Sequence, residues 1–491
     1  MYAVGVVFYH GFERRIIMRT VDLVVVILYM VGMLGIGVYS RSKIQSMDDY
    51  ILGGRRFNVL PLTATIMTTM TGAGMTLGMV GSVAARGSGI MWDLTGVAIG
   101  LVCMAFIAEK LRETNKRTLS EVIAGNNGKA PQIAAATVAA FYTLVLTGQN
   151  MAAVGRLLNY AGAGFGITAT QATVIAAVIL TAYTALGGLY SVVWTDFIQF
   201  IIMMVAIVIL GPIFAVYHAG GIAPIAEHIA SKGFSLYNPA TGNAIWPAIT
   251  FMFIMLLGVP GDPTSPQRAL AAKNSHVAKR AFMWAALSIL IWGMALTLIG
   301  GAAATLLPNI VDEWGTAEAS FPIFAIKYYP PILTGLVFAG MLAAVMSTAD
   351  SMLLLCTTHI IYDIAGSLMP NKFTEERNTK IMPYMTVFLG GLALIAALQI
   401  SSLLRTLYFV FSMVGAAFII PMLAQLYWSK KCTSIGVTAG VLLGGLSTIL
   451  MYHFEIMGPG GDPVYTGMFI SALCIWLGSF TKSPTQQKMA A

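Results

Sequence analysis

The chain has 491 residues, of which 57% are hydrophobic and only 10% are charged, and its formal net charge is +8. A soluble domain carries about 25% charged residues, so the charges here are too few to cover a water-facing surface. The composition excludes a water-soluble globular protein and predicts one that lies in a lipid bilayer.

Residues 1–17 precede Met18, and the first apolar helix starts shortly after it. We do not expect them to form a cleavable signal peptide, because no small-residue cleavage site follows a short apolar segment. Residues 1–19 are interpreted either as a short external tail or as an extension upstream of a chain that starts at Met18. Arg14 and Arg15 favour the second interpretation, since they would otherwise be basic residues on the outer side of the membrane.

Apolar stretches long enough to span a hydrocarbon core of about 30 Å recur along the rest of the chain. They predict an all-α polytopic membrane protein with about thirteen transmembrane helices, a single domain over residues 20–482 and a short tail at 483–491. Most of the 28 Lys and Arg residues, Arg268 and Lys273 among them, fall in alternate loops. The positive-inside rule therefore predicts a cell-membrane protein with an external N terminus and a cytoplasmic C terminus. This distribution in the membrane also explains the net positive charge, so no nucleic-acid partner is predicted.

Two of the predicted spans are poor helices along part of their length. The second contains Gly72 and Gly74 after a run of threonines, and the seventh ends in a segment that contains Pro260 and Pro263. Irregular backbone inside a membrane is tolerated only where it faces protein or a water-filled cavity. The alternative is that these features are a glycine packing face and a loop boundary.

The two interrupted spans lie five spans apart. Helices 2–6 (about residues 57–218) and helices 7–11 (about residues 245–428) are therefore predicted to be inverted repeats, with helices 1, 12 and 13 at the periphery. Secondary transporters build binding sites at the bilayer midplane from such discontinuous helices.

The ninth predicted span carries an unusual polar face. Ala344, Ser347, Thr348 and Ser351 recur at spacings of three and four, so they share one side of the helix. Oxygen atoms are the ligands that hard cations prefer. The alternative is that these hydroxyls bond to their own helix or help helices to approach closely.

Asp350 and Asp196 also lie within predicted spans, where an ionised side chain costs at least about 2.5 kcal/mol near the membrane centre. Asp196 follows the TALGGLYS segment, a predicted tight turn between two helices. We expect it to cap the helix that starts there, to help to hold a cation, or to do both.

Four motifs occur in order along the chain: DDYILGGRR at 48–56, GGLYSVVWTDFIQ at 187–199, PQRALAAK at 266–273 and AAVMSTADSMLL at 343–354. In these motifs the chain resembles the sodium:solute symporters. The resemblance implies a LeuT-type fold with two five-helix repeats and Na+ as the coupling ion.

The resemblance also implies the residues of a sodium site. Ala344 would donate its carbonyl and Ser347 and Thr348 their hydroxyls, while Thr68 and Thr71 would offer backbone carbonyls at the break of the second span. Asp196 would stand nearby. At Asp350 some relatives have a serine of a second sodium site, so we hypothesise that Asp350, with Ser347, Ser351 and Asp196, forms a second cation or proton site.

Between the broken spans we expect the substrate site, lined by Met75, Gln149, Asn150, Gly258 and Val259. In lipid, adjacent carboxamides such as Gln149 and Asn150 more often bridge helices. The small apolar pocket suits a monocarboxylate, an amino acid or a vitamin-like solute. Sugar carriers of the family place a glutamine where Met75 stands, and proline carriers an aspartate where Met70 stands, which counts against both solutes.

The resulting prediction is a sodium-coupled symporter that imports a small organic solute by alternating access. Its partners are the solute and the lipid bilayer, with no obligate protein partner inferred. The alternatives are a proton-coupled symporter on the same fold and an uncoupled channel or sensor. An enzyme is not predicted, because the six histidines and four cysteines are dispersed and no nucleophile elbow is present.

Overall fold

A computed structural model describes residues 18–40, 46–162, 166–238, 245–458 and 461–481. Within these ranges the chain is helical, with no strand beyond an isolated bridge between Phe57 and Ala272. The all-α prediction is confirmed. The predictions for residues 1–17 and for the tail at 483–491 lie outside the described residues.

The described helices follow one another along the chain with short connections. Those of the first half are α1 (Thr20–Ser40), α2 (Met47–Leu52), α3 (Val59–Met70), α4 (Met79–Arg86), α5 (Met91–Glu113), α6 (Leu119–Ala124), α7 (Lys129–Ala161), α8 (Ala169–Met203), α9 (Gly211–His218) and α10 (Ile222–Ser231). Those of the second half are α11 (Ile245–Gly261), α12 (Thr264–Ala271), α13 (Ser275–Leu306), α14 (Ile310–Trp314), α15 (Ser320–Tyr328), α16 (Leu333–Thr358), α17 (Gly366–Leu368), α18 (Glu375–Ala397), α19 (Leu403–Tyr427), α20 (Ser434–His453) and α21 (Val464–Gly478). Three π-helical segments adjoin them, at Gly74–Gly78, Met204–Leu210 and His359–Ala365.

Among the described residues, nine helical segments are long and apolar enough to span a membrane. Four shorter apolar helices accompany them, at Val59–Met70, Ala169–Ala185, Ile249–Gly261 and Val464–Gly478. The chain is thus a multi-pass membrane protein, as predicted, while the count of thirteen spans stays a prediction. Gly188, at φ 50° and ψ −167°, interrupts α8 between the predicted fifth and sixth spans.

The predicted break in the second span is confirmed, since α3 ends at Met70 and a π-helical turn leads on to α4. The freed backbone groups find partners inside the protein. The Ala73 amide donates to Asn150 Oδ1 at 2.9 Å, and the Thr71 carbonyl accepts from the Thr76 hydroxyl at 2.6 Å. A Cβ at Gly72 would come within 3 Å of Thr348 Oγ1 and Asn150 Oδ1, so this position requires glycine.

The predicted break in the seventh span is confirmed as well. Helix α11 ends one residue after Pro260, and α12 begins at Thr264. Between them, Asp262 accepts hydrogen bonds from the Thr264 amide at 2.9 Å and the Thr264 hydroxyl at 2.7 Å. Asp262 therefore fixes the direction in which the chain re-enters a helix.

Helix contacts come in matched pairs between the two predicted repeats. The contact of α3 with α13 corresponds to that of α11 with α5, and the contact of α3 with α8 corresponds to that of α11 with α19. Likewise α7 packs on α18 as α16 packs on α8, and α7 and α16 meet each other. Two five-span units related by inversion produce this pattern. The residue boundaries of the repeats stay a prediction.

Helix α16 lies at the centre of this bundle. Every residue from Leu333 to Thr358 except Leu336 is buried, including Ser347, Thr348 and Asp350. A helix that is buried all round has no lipid-facing side, so its polar groups must find partners within the protein.

Candidate functional site: two clusters on the central helices and a small cavity

Five oxygen atoms converge where the end of α3 meets the middle of α16. The Ser347 hydroxyl lies 3.1 Å from the Thr68 carbonyl and 3.0 Å from the Ala344 carbonyl. The Thr348 hydroxyl lies 3.0 Å from the Thr69 carbonyl and 3.2 Å from the Ala344 carbonyl. We call these three carbonyls and two hydroxyls the oxygen site. It contains no charged group.

The structure brings together four of the residues predicted for sodium, Thr68, Ala344, Ser347 and Thr348, and adds Thr69. Thr71 takes part differently, because its hydroxyl donates to the Thr68 carbonyl at 3.0 Å while its own carbonyl accepts from Thr76. Thr71 thus stabilises the break in the second span next to the oxygen site.

Asp196 lies inside α8, about two turns beyond Gly188. The prediction that it caps a helix is wrong, because the helical segment that follows the kink at Gly188 starts about two turns before Asp196. Its Oδ2 accepts from the Thr65 hydroxyl at 2.5 Å, and its Oδ1 has no hydrogen-bond partner among the described residues. Asp196 therefore contacts α3 one turn before the oxygen site.

Arg268 extends into the core next to these residues. Its side chain is only 1% exposed, so counting it among the cytoplasmic loop charges was wrong. The Nη2 atom donates to three hydroxyls, those of Ser351 at 2.6 Å, Thr69 at 3.2 Å and Thr65 at 3.3 Å. The short helix α12 follows directly on the break in the seventh span, which is why a residue of a loop motif reaches the centre of the bundle.

Asp350 completes the group. Its Oδ2 accepts from the Tyr183 hydroxyl at 3.1 Å, and its Oδ1 has no hydrogen-bond partner among the described residues. In the described part of the chain, no ion pair joins Arg268 to either carboxylate. We call Asp196, Arg268 and Asp350 the charged cluster. Hydroxyl groups mediate its contacts instead of direct ion pairs.

Sequence reasoning missed four residues that belong to these two clusters or contact them, namely Thr65, Thr69, Tyr183 and Arg268. A signal was present for two of them, since Thr65 and Thr69 are four residues apart and so share a face of α3. That face points to the charged cluster, whereas the carbonyls at the end of the helix point to the oxygen site.

A small cavity adjoins the oxygen site between the two broken spans. Its volume of about 10 Å³ has room for about one water molecule. The described residues that line it are Thr69, Met70, Gly72, Gly74, Met75, Leu146, Gln149, Asp262, Thr348, Met352, Leu407 and Phe411. This conformation does not accommodate an organic solute, so the walls must separate for one to bind.

The predicted substrate residues have different surroundings. Met75 and Gln149 line the cavity, whereas Asn150 donates to Leu146 and accepts from the Ala73 amide. Gln149 also donates to the Leu403 carbonyl, so both carboxamides bridge structural elements.

The other two predicted residues lie at helix contacts outside the cavity lining. Gly258 packs against the ring of Phe411, which would lie 2.4 Å from an added Cβ. The Val259 side chain packs against Gly100 of α5.

Near the start of α5, a cluster of four residues joins α4, α5, α11 and α19. Arg86 forms an ion pair with Asp93 at 2.8 Å and donates to the Tyr408 hydroxyl at 3.1 Å. The Phe251 and Tyr408 rings stack with centroids 4.4 Å apart, and the Arg86 guanidinium lies over Phe251. We call this group the Arg86 cluster.

A second polar group, the Arg117 cluster, lies just beyond the other end of α5. Arg117 pairs with Asp48 at 2.6 Å and with Glu375 at 2.5 Å, and it lies over the ring of Tyr362. The Tyr362 hydroxyl donates to Glu121 at 2.9 Å. The two clusters therefore join neighbouring helices near the opposite ends of α5.

The sequence of this chain is similar to those of known transporters. The profile described as the sodium:solute symporter family matches residues 50–444. The osmoregulated proline transporter OpuE of Bacillus subtilis is 26% identical over 476 residues, covering 94% of each chain. The sodium/pantothenate symporter of Escherichia coli is 25% identical over 471 residues, covering 92% of this chain and 95% of the relative.

Among solved structures, a Na+-coupled sialic acid symporter in a substrate-bound outward-open state matches with a TM-score of 0.75. It is 17% identical and covers 94% of this chain and 97% of its own. Mhp1, a nucleobase-cation-symport-1 family transporter in a closed conformation, matches with a TM-score of 0.59 at 13% identity. These likenesses show the fold, which is that of LeuT-type secondary transporters.

The fold and the family together define a membrane transporter that couples a solute to an ion. The chain belongs to the sodium:solute symporter family. It is a sodium-coupled symporter of a small solute and not an enzyme.

Proposed function

We propose that the oxygen site binds the coupling Na+. The observation that supports this best is the convergence of three carbonyls and two hydroxyls from α3 and α16 around one point. Uncharged oxygens suit a monovalent cation that must bind and leave in each cycle. Sodium would replace the present hydrogen bonds between these oxygens and would hold the broken end of α3 against α16.

We further propose that Asp350 and Ser351, with Ser347 and Asp196, act as a second cation or proton site. One oxygen of each carboxylate has no partner among the described residues, in a region where unpartnered polar atoms are costly. Arg268 already binds the Ser351 hydroxyl, so a cation here would share the charged cluster with a permanent guanidinium.

The proposed orientation places the N terminus outside and the C terminus in the cytoplasm. The Arg86 cluster then faces the outside, and the Arg117 cluster faces the cytoplasm. Basic residues accumulate in the loops near Arg117, as the positive-inside rule requires.

Transport would follow alternating access. Opening the Arg86 cluster admits sodium and solute, binding at the oxygen site and in the cavity favours closure, and opening the Arg117 cluster releases both inward. Coupling follows because an ion that binds one conformation more tightly shifts the population toward it. Each inward sodium contributes about 2.3 kcal/mol for every ~100 mV of membrane potential, in addition to its gradient.

The solute is proposed to be a small organic molecule that binds between the broken spans, lined by Met75 and Gln149 with Asn150, Gly258 and Val259 behind them. Relatives are named as transporters of proline and of pantothenate, both of which are small organic solutes. The proposed solute is a monocarboxylate, an amino acid or a vitamin-like molecule.

The test is uptake into proteoliposomes from a panel of radiolabelled organic acids, amino acids and vitamins. An inward sodium gradient at equal pH should drive accumulation of one solute above its external concentration, and a potassium gradient should not. Accumulation that follows a pH gradient without sodium would favour the proton-coupled alternative. Equilibration without accumulation would favour the uncoupled channel.

A further inference from the structure

One buried carboxylate that is not part of either cluster lies in the cavity wall. Asp262 is 0% exposed and is the one charged side chain among the described residues that line the cavity. It occupies the break between α11 and α12, where the backbone direction changes. Its position makes it the first ionised group that a solute in the cavity would meet.

Asp262 accepts one hydrogen bond on each carboxylate oxygen, both from Thr264, which leaves part of its capacity of about four acceptor sites unused. The chain offers a matched comparison, because Asp462 also stands in a Gly-Asp-Pro segment and accepts from the amide two residues later at 2.9 Å, as Asp262 does. At Oδ2 each also accepts from a hydroxyl, that of Thr264 at 2.7 Å for Asp262 and that of Tyr452 at 2.6 Å for Asp462. Beside Asp262 lies the Tyr142 hydroxyl, which is buried and has no hydrogen bond of ordinary geometry among the described residues.

The remaining wall suits a positively charged group. Phe411 and Tyr142 form a ring pair with centroids 6.3 Å apart, and Phe411 lines the cavity with Met70, Met75 and Met352. Aromatic faces attract cations, and methionine sulfurs are polarisable. No lysine or arginine is found among the described lining residues, so a solute that carried only a carboxylate would face Asp262 without a compensating charge.

Charge balance in the core supports the same conclusion. Three carboxylates, Asp196, Asp262 and Asp350, are fully buried near one guanidinium, that of Arg268. When all are ionised, two negative charges are in excess, which is strongly unfavourable in a low-dielectric interior. One sodium ion and one solute ammonium group would together neutralise them.

We propose that Asp262 is the specificity-determining residue that binds a protonated amino group of the solute. The solute class is then amino acids or other amines, and not carboxylates that lack an amino group. This inference rests on the proposed sodium-coupled transport and narrows its solute.

The first test compares pairs of compounds that differ in the amino group, with the full-length protein in lipid nanodiscs. The pairs are L-proline with tetrahydrofuroic acid, L-alanine with propionate and glycine with acetate, and ethanolamine is added as an amine without a carboxylate. The readout is the shift in Tm in sodium chloride and in potassium chloride. At least one amine should raise Tm in sodium, and its amine-free partner should leave Tm unchanged.

The second test uses Asp262→Asn, in which the side-chain oxygen can still accept the Thr264 amide. Affinity for the amine found above should fall about 10- to 100-fold, the loss expected when a hydrogen bond to a charged group is removed. Asp462→Asn is the matched control and should keep the wild-type affinity. Asp262→Glu, which retains the charge, should retain the preference for the amine member of each pair.

Three results would overturn the inference: equal stabilisation by an amine-free partner, no stabilisation by any amine, or unchanged amine affinity in Asp262→Asn. The compound pairs need only the wild-type protein, so a variant that fails to fold does not remove the test. Sodium dependence is measured separately in the same samples. Amine binding that needs Asp262 but not sodium would contradict the proposed coupling and leave this inference standing.

Discussion

The oxygen site and the charged cluster are neighbours along α3 and α16 but are built on opposite principles. The oxygen site comes from these two helices alone, whereas the charged cluster takes Asp196 from α8, Arg268 from α12 and Asp350 from α16. The oxygen site offers a cation five uncharged oxygens that now bond to one another. The charged cluster contains two carboxylates and already holds a cation of its own, the guanidinium of Arg268. A site without net charge can be left empty at low cost, whereas an ionised carboxylate is costly to bury without a positive group nearby.

This difference suggests a division of labour. The oxygen site can fill and empty with sodium, while Arg268 keeps the charged cluster occupied when no external cation is present. Thr69 belongs to both, since its carbonyl contacts Thr348 and its hydroxyl contacts Arg268. The two roles can be tested separately, by removing charge from the charged cluster or oxygen ligands from the oxygen site.

The largest effect is expected for Arg268→Gln. Arg268 donates to three hydroxyls, and each hydrogen bond to a charged group contributes about 1.5–3 kcal/mol of folding stability. Two buried carboxylates would also lose their only nearby permanent cation within the described core. Thermal unfolding of the purified protein would measure the loss as a lower Tm.

The double variant Arg268→Gln with Asp350→Asn is the matched control, because it also removes one negative charge. It should recover much of the lost Tm. If the single variant is as stable as the wild type, Arg268 does not compensate the carboxylates, and the contrast between the two clusters fails.

The next largest effect is expected for Ser347→Ala combined with Thr348→Ala. Two cation ligands are lost at about 1–2 kcal/mol each, so the sodium concentration for half-maximal stabilisation should rise about 100-fold. Sodium titrations monitored by Tm would measure it.

Thr357→Ala with Thr358→Ala is the control on the same helix. Their hydroxyls bond back to carbonyls one turn earlier, and that of Thr357 also contacts Thr386. This pair should leave sodium affinity unchanged. Wild-type sodium affinity in the Ser347 and Thr348 variant would rule out the oxygen site as the place where sodium binds.

The sequence predicts those parts of the two clusters whose residues are close together along the chain, and it misses contacts between residues far apart in the sequence. Ala344, Ser347 and Thr348 share a face through helical spacing alone, so local periodicity was enough to group them. The broken spans were equally local, because Gly72 and Pro260 disturb helices by their own chemistry. The LeuT-type fold required more, namely the four motifs that identify the family.

Arg268 and Tyr183 show what could not be predicted. Arg268 meets Ser351 across 83 residues of chain, and Tyr183 meets Asp350 across 167. Nothing in the local pattern distinguishes a loop arginine that faces water from one that a broken helix turns inward. Asp196 was placed wrongly as a helix cap for a related reason, since the kink at Gly188 lies about two turns before it and the helix has already restarted there.

A smaller effect on sodium is expected for Asp350→Asn. The charged cluster would lose one negative charge, so the number of cations moved per solute should fall by one. Sodium affinity at the oxygen site should stay within about threefold, because the ligands there are unchanged. Charge and solute flux measured together in proteoliposomes would give the stoichiometry.

Asp363→Asn provides a comparison at another buried aspartate at the end of the same central segment. Asp363 bonds to Thr118, Gln132 and His359, away from both clusters. It should leave the stoichiometry as it is. An unchanged stoichiometry in Asp350→Asn would remove the second cation or proton site from the proposal.

The smallest effect is expected for Thr69→Val. This variant tests most directly whether the two clusters act independently. This change removes the hydroxyl that contacts Arg268 and Ser351 but keeps the carbonyl that contacts Thr348. Folding stability should fall by about 1 kcal/mol, the usual value of one buried hydrogen bond, and sodium affinity should change less than about twofold. Chemical unfolding and the sodium titration measure the two quantities on the same sample. A large loss of sodium affinity would mean that the hydroxyl couples sodium binding to the charged cluster, so that the two clusters act as one site and not two.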